Sequence, residues 1–194
     1  MDKKLIVIID NYDSFTYNLF QYVGEFYSDI IVLKNDDSKI SNLNIELVKA
    51  FIFSPGPGKP SATGFMPNVI DQYKSQIPML GICLGHQAII ENFKGKIINA
   101  KQVCHGKVHK INHLSNSIIF QGIESEFQAT RYHSLVADRV SFPEELKITA
   151  MSCDDKEIMG IEHKNYKIFG LQFHPESIET KDGLKMIKNF IEVI

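Results

Sequence analysis

The chain has 194 residues, a formal net charge of −2, 44% hydrophobic residues and 23% charged residues. This balance is typical of a globular protein, and the length suits one domain covering residues 1–194 rather than two domains of ordinary size. The lysines are scattered and form no basic run. The charge pattern therefore gives no reason to expect nucleic acid or a membrane surface as a partner.

The first apolar run covers residues 5–9 and ends at Asp10. Five residues are too few for a signal-peptide core or a membrane span, so the run predicts a buried strand. Similar runs follow at residues 30–33, 50–53 and 79–82. Continuous apolar runs of this length are typical of parallel strands covered on both faces. The sequence thus predicts an α/β fold with a largely parallel central sheet flanked by helices.

A helix is expected between the first two strands, with Asp13 or Ser14 as its cap. Its apolar side chains recur at helical spacing and predict a stripe that packs on the sheet: Phe15, Leu19, Tyr22 and Phe26. Beyond Gly95 the apolar segments shorten and turn residues separate them, which predicts hairpins and a smaller mixed or antiparallel sheet region. These segments are residues 96–98, 128–132, 148–152, 158–163 and 168–173. A final helix is expected at residues 183–193.

Segment 77–87 predicts a strand, a sharp turn between Gly81 and Gly85, and a helix that begins near Gly85. This strand–turn–helix pattern is typical of a nucleophile elbow, and Cys83 occupies the nucleophile position, with sulfur in place of a hydroxyl oxygen. Glycines allow the tight turn, and the free N–H groups of the helix N-terminus favour a thiolate. Cys83 is therefore the candidate nucleophile, the alternative being an ordinary buried thiol.

His174 and Glu176 follow the last expected strand, and Pro175 between them disfavours helical geometry. In an extended segment, side chains two residues apart point to the same side, so Glu176 can reach the His174 imidazole. A thiol nucleophile needs an oriented base of this kind, and Cys83, His174 and Glu176 form a candidate triad. Taken alone, His174 would be an ordinary surface or hydrogen-bonded histidine.

Residues 54–58, Ser-Pro-Gly-Pro-Gly, directly follow the third expected strand. This stiff loop leaves bare backbone near the strand end, so the N–H of Gly58 can stabilise an oxyanion together with the N–H of Leu84. Gln87 lies one helical turn after the candidate nucleophile and can bind a polar substrate group. His86 points elsewhere and is interpreted as structural.

The remaining cysteines, Cys104 and Cys153, lack such a setting and are interpreted as core or surface thiols. Three cysteines without a CxxC pair argue against disulfides and favour a reducing, cytoplasmic location. His109 and His113 could share a helix face as metal ligands, but no further ligand follows at suitable spacing. We expect neither a metal nor another cofactor.

Six motifs, in this order, resemble those of the class I glutamine amidotransferases, specifically the stand-alone glutaminase subunits of anthranilate synthase and aminodeoxychorismate synthase. They lie at residues 10–19, 54–58, 81–87, 105–107, 131–135 and 172–177, so the resemblance runs along the whole chain. It implies the same triad and oxyanion donors, and contacts to L-glutamine from Gly56, Pro57, Gly58, Gln87, Ser134 and Leu135. It also implies that residues 11–15 and 105–107 lie near a synthase subunit.

The resemblance implies a glutaminase that passes ammonia to a chorismate-utilising synthase subunit. Val108 and His109 stand where many members have threonine and serine, and residues 93–95 read Phe-Lys-Gly rather than Phe-Gly-Gly. Residues 157–161 slightly favour a partner of the folate branch, while the anthranilate branch stays open. The alternatives are a non-catalytic glutamine-binding regulatory subunit and another thiol hydrolase on the same fold. The complete triad argues against the first, and residues 54–58 and 131–135 argue against the second.

Overall fold

The computed structural model describes residues 4–114 and 116–194. The strands in these residues are β1 (Leu5–Asp10), β2 (Ile30–Lys34), β3 (Val48–Phe53), β4 (Met79–Ile82), β5 (Ile97–Asn99), β6 (Lys107–His113), β7 (Glu126–Arg131), β8 (Leu135–Ala137), β9 (Leu146–Ser152), β10 (Ile158–His163) and β11 (Ile168–Leu171). The α-helices are α1 (Thr16–Gly24), α2 (Met66–Tyr73), α3 (Leu84–Asn92) and α4 (Gly183–Val193). No helix in the described part of the chain is long and apolar enough to cross a membrane.

The main sheet has nine strands in the order β2-β1-β3-β4-β11-β10-β9-β6-β7. The first five pair in parallel, whereas the last four continue the same sheet in antiparallel pairing. Strands β5 and β8 form a separate antiparallel pair. The predicted α/β class with a parallel central sheet and a smaller antiparallel region is confirmed.

The parallel strands are buried on both faces because their side chains alternate between two cores. Ile6 and Ile8 of β1 belong to a cluster that also contains buried side chains of α1 and α4, such as Leu19. Val7 and Ile9 belong to a second cluster with side chains of α2 and α3. Two helices therefore cover each face of the sheet, and the carboxyl ends of the parallel strands stay free for a site.

The start of helix α1 and the packing of its apolar side chains differ from the sequence-based expectation. The expectation that Asp13 or Ser14 caps the helix was wrong, because the N-cap is Phe15 and its side chain makes no capping hydrogen bond. The Asp13 carboxylate instead accepts a hydrogen bond from the Phe15 backbone N–H at 2.8 Å in the turn before the helix. Leu19 is buried, but Phe26 lies beyond the helix end. The Phe15 ring packs against Tyr132 and His174, not into the sheet core. The expectation that Phe15 is a core residue was wrong, because the chain turns at the end of β1 before the helix begins.

His109 and His113 lie on strand β6, and the alternative that they share a helix face is wrong. Four residues along a strand span about 13 Å, too far for one metal ion. The described residues contain no group of three or more histidine, cysteine, aspartate or glutamate side chains able to hold a metal ion. The sequence does not predict strand β6. Only Ile111 among its seven residues is fully buried, so the strand has no alternating apolar pattern.

Candidate active site

Four neighbouring strands end where the candidate residues lie. Strands β1, β3, β4 and β11 are adjacent in the sheet and run in parallel, so their carboxyl ends meet at one edge. Residues 11–15, 54–58, 83–87 and 172–176 directly follow these strands. The fold thereby brings together motifs that are more than 150 residues apart in the chain, at the edge where α/β proteins commonly bind ligands.

Cys83 occupies a strained turn between β4 and α3. Its φ is 50° and its ψ is −98°, a conformation that a non-glycine residue rarely adopts. Its N–H donates to the Leu171 carbonyl at 2.7 Å, and its own carbonyl accepts from Gln87 N–H at 3.0 Å, which fixes the turn on both sides. The side chain is 7% exposed. Strain held by surrounding hydrogen bonds is typical of a functional position, and this geometry is a nucleophile elbow.

The glycines of the elbow are required by close backbone approach. A Cβ on Gly81 would lie 2.5 Å from the Gly85 carbonyl, and a Cβ on Gly85 would lie 2.5 Å from the Phe53 carbonyl. Both neighbours are backbone atoms that cannot move independently of β3 and α3. The glycines thus allow the strand and helix to pack closely beneath Cys83.

We predict that Gly81→Ala lowers the free energy of unfolding by about 2–3 kcal/mol, because the new methyl group forces the elbow open. Gly24→Ala is the matched control, since a Cβ at Gly24 meets nothing within 4 Å. This control should change stability by less than about 1 kcal/mol, with alanine favoured in a helix. Urea unfolding of both variants measures the difference. Equal stability of the two variants would contradict the role given to Gly81.

His174 and Glu176 form the predicted hydrogen-bonded pair, but the expected extended geometry was wrong, because Pro175 and Glu176 lie in a turn in which the Ser177 N–H donates to the His174 carbonyl at 3.3 Å. His174 Nδ1 lies 2.7 Å from Glu176 Oε1, and both side chains are at most 4% exposed. Burial by itself would lower the pKa of His174. The Glu176 carboxylate and the neighbouring Cys83 sulfur outweigh this effect and raise the pKa of His174 well above its usual value. The imidazolium form is therefore favoured at neutral pH.

The backbone of His174 is held by two threonines that the sequence did not reveal. Its N–H donates to the Thr130 carbonyl at 3.0 Å, and its carbonyl accepts from the Thr180 hydroxyl at 2.7 Å. The same Thr180 oxygen accepts from the Thr130 N–H at 3.0 Å. These bonds join β7 to the segment after β11, and they fix the position from which the imidazole projects.

The loop at residues 54–58 is tied to the end of β1. Asn11 N–H donates to Ser54 Oγ at 2.8 Å, and the Asn11 amide donates to the Ser54 carbonyl at 2.9 Å. A Cβ on Gly56 would lie 2.5 Å from Asn11 Cβ and 3.0 Å from Leu84, so glycine is needed for this close packing. Gly58 has a φ of +87°, which favours glycine, and open space surrounds it. The loop is closely packed at Gly56, whereas a Cβ added at Gly58 would meet nothing within 4 Å.

A cavity of about 150 Å³ adjoins Cys83 and contains all the expected glutamine contacts. Its lining residues are Gly56, Pro57, Gly58, Cys83, Leu84, Gln87, Tyr132, His133, Ser134 and Leu135. The Gln87 amide donates to the Leu135 carbonyl at 3.0 Å, and both residues line this cavity. The structure thus brings together Ser134 and Leu135, which only the family resemblance had pointed to, with the elbow and the loop at residues 54–58.

A second, wider cavity of about 600 Å³ also reaches Cys83 and His174. It is lined by residues 12–15, by Pro55, Gly56 and Pro57, and by His105 and Tyr132. The Tyr132 ring lies 5.0 Å from the His174 ring and lines both cavities. Residues 12–15 and His105, from the two segments expected near a partner, therefore border an opening beside the candidate nucleophile, whereas the Asn11 side chain is buried.

Comparison with known proteins identifies the family. A family model described as glutamine amidotransferase class-I matches residues 7–193. The chain belongs to the class I glutamine amidotransferases. It is 51% identical to an anthranilate synthase component 2 from Lactococcus lactis, over 98% of this chain and 95% of that one. It is also 41% identical to an aminodeoxychorismate synthase component 2 from Escherichia coli, over 96% of this chain and 99% of that one.

Solved structures show the same fold at lower sequence identity. A putative GMP synthase subunit from Thermoplasma acidophilum superposes with a TM-score of 0.85 at 24% identity, covering 100% of this chain and 94% of that one. A glutamine amidotransferase from Thermotoga maritima has a TM-score of 0.73 at 20% identity, covering 100% and 82%. The architecture is thus that of the amidotransferase family.

A buried ion network stands behind the 150 Å³ cavity of this amidotransferase. Arg131 is fully buried and donates from one terminal nitrogen to Asp155 at 2.9 Å and to Glu157 at 2.8 Å. Although burial raises the pKa of Asp155, hydrogen bonds from Arg131 and Ser152 lower it to about 2. Arg131 Nε also donates to His133 Nε2 at 3.0 Å. The network supports the segment at residues 131–135 that lines the cavity.

His86 is fully buried beneath the elbow, which agrees with its structural interpretation. Neither ring nitrogen makes a hydrogen bond with any residue in ranges 4–114 and 116–194. Burial lowers the pKa of His86 to about 3, so the ring stays neutral in the folded amidotransferase. In the unfolded chain its pKa returns to about 6.5. Between these values the unfolded state binds the extra proton, and stability falls as the pH falls below about 6.5.

We predict that His86→Leu reduces the acid sensitivity of folding. Between pH 7.5 and 5.5, the wild type should lose about 1.4 kcal/mol more unfolding free energy than the variant, because one proton uptake on unfolding is removed. Urea unfolding at both pH values measures this difference, and the contributions of the other histidines cancel in it. Identical pH dependence in the two proteins would contradict a neutral buried His86.

Cys104 and Cys153 are free thiols away from both cavities. Cys104 is buried, and burial raises its pKa; Cys153 is partly exposed, and burial with the nearby Glu126 raises its pKa. Raised values favour the unreactive thiol form. The contrast with the elbow position of Cys83 agrees with their interpretation as core and surface thiols.

Proposed function

We propose that this amidotransferase hydrolyses L-glutamine to glutamate and ammonia, with Cys83 as nucleophile, His174 as acid and base, and Glu176 as the group that orients His174. The observation that carries the proposal is the 150 Å³ cavity, which joins Cys83 to every expected glutamine contact. We place the reaction in the cytoplasm, because all three cysteines are free and a reducing compartment keeps thiols free.

In the first half of the reaction, the Cys83 thiolate attacks the side-chain amide carbon of glutamine. The N–H groups of Gly58 and Leu84 stabilise the oxyanion of the tetrahedral intermediate. The His174 imidazolium gives its proton to the departing nitrogen as the carbon–nitrogen bond breaks, which releases ammonia. A γ-glutamyl thioester on Cys83 and a neutral imidazole remain.

In the second half, His174 takes a proton from water as the water oxygen attacks the thioester carbon. The carbon–sulfur bond breaks, glutamate leaves, and the thiolate and imidazolium are restored. The raised pKa of His174 suits both halves, because the ring must start each cycle protonated. Glu176 stabilises this charge and keeps the proton on Nδ1, so that Nε2 faces the reacting atoms.

We further propose that the ammonia passes to a synthase subunit that aminates chorismate to anthranilate or 4-amino-4-deoxychorismate. Ammonia in neutral water is mostly protonated and unreactive, so its release is useful only beside an acceptor enzyme. The relatives are named as second components of the two synthases, which supports this partner. The wide cavity beside Cys83 supplies an opening toward such a subunit.

A release assay tests the chemistry. Ammonia should be released from L-glutamine and not from peptides, and a glutamine analogue with an electrophilic group should label Cys83. The assay is run alone and with the synthase partner, since a partner can be needed to assemble the active form. Release from peptides instead of glutamine would indicate another thiol hydrolase. Failure to label Cys83 in both states would indicate a non-catalytic glutamine-binding subunit.

Capture of the native partner tests the pathway. The tagged chain is used to isolate its synthase subunit, and the complex is given chorismate and glutamine. Anthranilate or 4-amino-4-deoxychorismate as the product identifies the branch. A complex that aminates a different acceptor, or no synthase in repeated captures, would overturn the proposed partner.

A further inference from the structure

Gln172 contacts the candidate nucleophile and is not a member of the proposed triad. It lies at the end of β11, two residues before His174, and its side chain is fully buried. Its Nε2 lies 3.5 Å from Cys83 Sγ, within the hydrogen-bonding range of sulfur. Its backbone N–H donates to the Met159 carbonyl at 3.0 Å, which fixes the residue in the sheet.

The direction of this hydrogen bond is fixed by a chain of contacts that starts at a backbone carbonyl. The Leu135 carbonyl can only accept, so the Gln87 atom 3.0 Å from it is the donating amide nitrogen. The same Gln87 nitrogen lies 3.1 Å from the amide of Gln172, which must therefore present its oxygen. The nitrogen of Gln172 is left facing Cys83 Sγ. The sulfur thus receives a hydrogen bond, because the network allows only one orientation of each amide.

A hydrogen bond donated to sulfur favours the charged thiolate over the neutral thiol, because it is stronger toward the anion. Gln172 supplies such a donor to Cys83, and its amide carries no charge and no transferable proton. Gln87 and Leu135 line the glutamine cavity, so the chain of hydrogen bonds also links the sulfur to the substrate pocket.

We propose that Gln172 is a positioning residue that donates a hydrogen bond to the Cys83 thiolate and, through Gln87, ties the sulfur to the glutamine-binding wall at Leu135. This inference rests on the proposed function of Cys83 and deepens it. Gln172 touches no transferred atom; it holds the nucleophile in its reactive charge state and position.

The test is the pH dependence of Cys83 alkylation by iodoacetamide in the full chain, read by mass spectrometry on the peptide that contains Cys83. Gln172→Met keeps the side-chain length and removes the donor. The midpoint of alkylation should move up by about one pH unit, as expected for loss of a hydrogen bond to a charged group. Alkylation of Cys153 in the same samples should not shift.

Gln128→Met is the matched control, because Gln128 is an exposed glutamine on β7 that does not contact Cys83. It should leave the midpoint within about 0.2 pH unit, well below the shift expected for the loss of a hydrogen bond. Gln87→Met is the second variant, which removes the donor that orients Gln172 and should shift the midpoint in the same direction by a smaller amount. It keeps the test decisive if Gln172→Met fails to fold.

Kinetics provides a second readout. At a pH below the alkylation midpoint of the wild type, Gln172→Met should lower kcat for glutamine hydrolysis by about tenfold, because a one-unit shift there reduces the thiolate fraction tenfold. An unshifted alkylation midpoint in both Gln172→Met and Gln87→Met would overturn the proposal. Because alkylation needs no glutamine, this result is distinguishable from a failure of the proposed function, which would appear as a wild type that does not hydrolyse glutamine.

Discussion

Replacing Cys83 with alanine is expected to lower glutamine hydrolysis by at least about 10⁴-fold, because no other group in the proposed mechanism can form the thioester. Binding of glutamine should persist, since the cavity walls are formed by other residues. The rate of ammonia release, alone and in complex with the synthase subunit, measures the loss. The folded state is checked by urea unfolding, where the small buried side chain contributes little.

Cys153→Ala is the matched control, since it removes a free thiol that lines neither cavity. It should leave hydrolysis within about twofold of wild type, the range expected for a substitution away from the site. In the reconstituted complex, Cys83→Ala should abolish amination that depends on glutamine and spare amination supplied with ammonium salts. If the complex with Cys83→Ala retains glutamine-dependent amination, the proposal that Cys83 is the nucleophile is contradicted.

The parallel half of the sheet could be predicted from the sequence because its strands are covered on both faces. Burial on both faces requires nearly continuous apolar residues, and such runs stand out at β1, β3 and β4. The antiparallel half could be predicted less completely. Strand β6 is polar along most of its length, and β8 has three residues, so neither carries a signal that distinguishes it from a loop.

The candidate site could be predicted wherever its chemistry depends on neighbours in the chain. The elbow around Cys83 and the pair of His174 and Glu176 are local patterns, and the described geometry contains both. Contacts that join distant segments could not be foreseen. Thr130 holds the backbone of His174 although the two residues are 44 positions apart. The packing of Phe15 on Tyr132 depends in the same way on which strands lie side by side.

Gln172 is a residue whose position, but not its role, follows from the sequence. Gln172 belongs to the segment predicted at residues 168–173 and lies two residues before His174. The sequence does not predict the part played by Gln87 on α3. Only the fold shows that its amide contacts both Leu135 and Gln172. From its helical position, Gln87 is expected only to bind a polar group of the substrate.

His174→Ala and Glu176→Gln are expected to differ in severity. His174 moves protons in both halves of the proposed reaction, so its loss should approach that of Cys83→Ala, at least about 10⁴-fold. Glu176 orients the ring and stabilises its charge, and Glu176→Gln should cost about 10 to 100 times less than His174→Ala. Steady-state rates of ammonia release with saturating glutamine measure both losses.

The pH profile separates an orienting role for Glu176 from a purely structural one. In the wild type, the Glu176 carboxylate raises the pKa of His174, so the imidazolium survives to higher pH. Glu176→Gln removes that charge and lowers the pKa of His174. The alkaline limb of the pH–activity profile should therefore move to lower pH. Glu179→Gln, an exposed neighbour, is the control and should leave the profile unchanged. If His174→Ala and Glu176→Gln lower the rate of ammonia release equally, and the alkaline limb does not move, then Glu176 has a role other than orienting the imidazole and stabilising its protonated form.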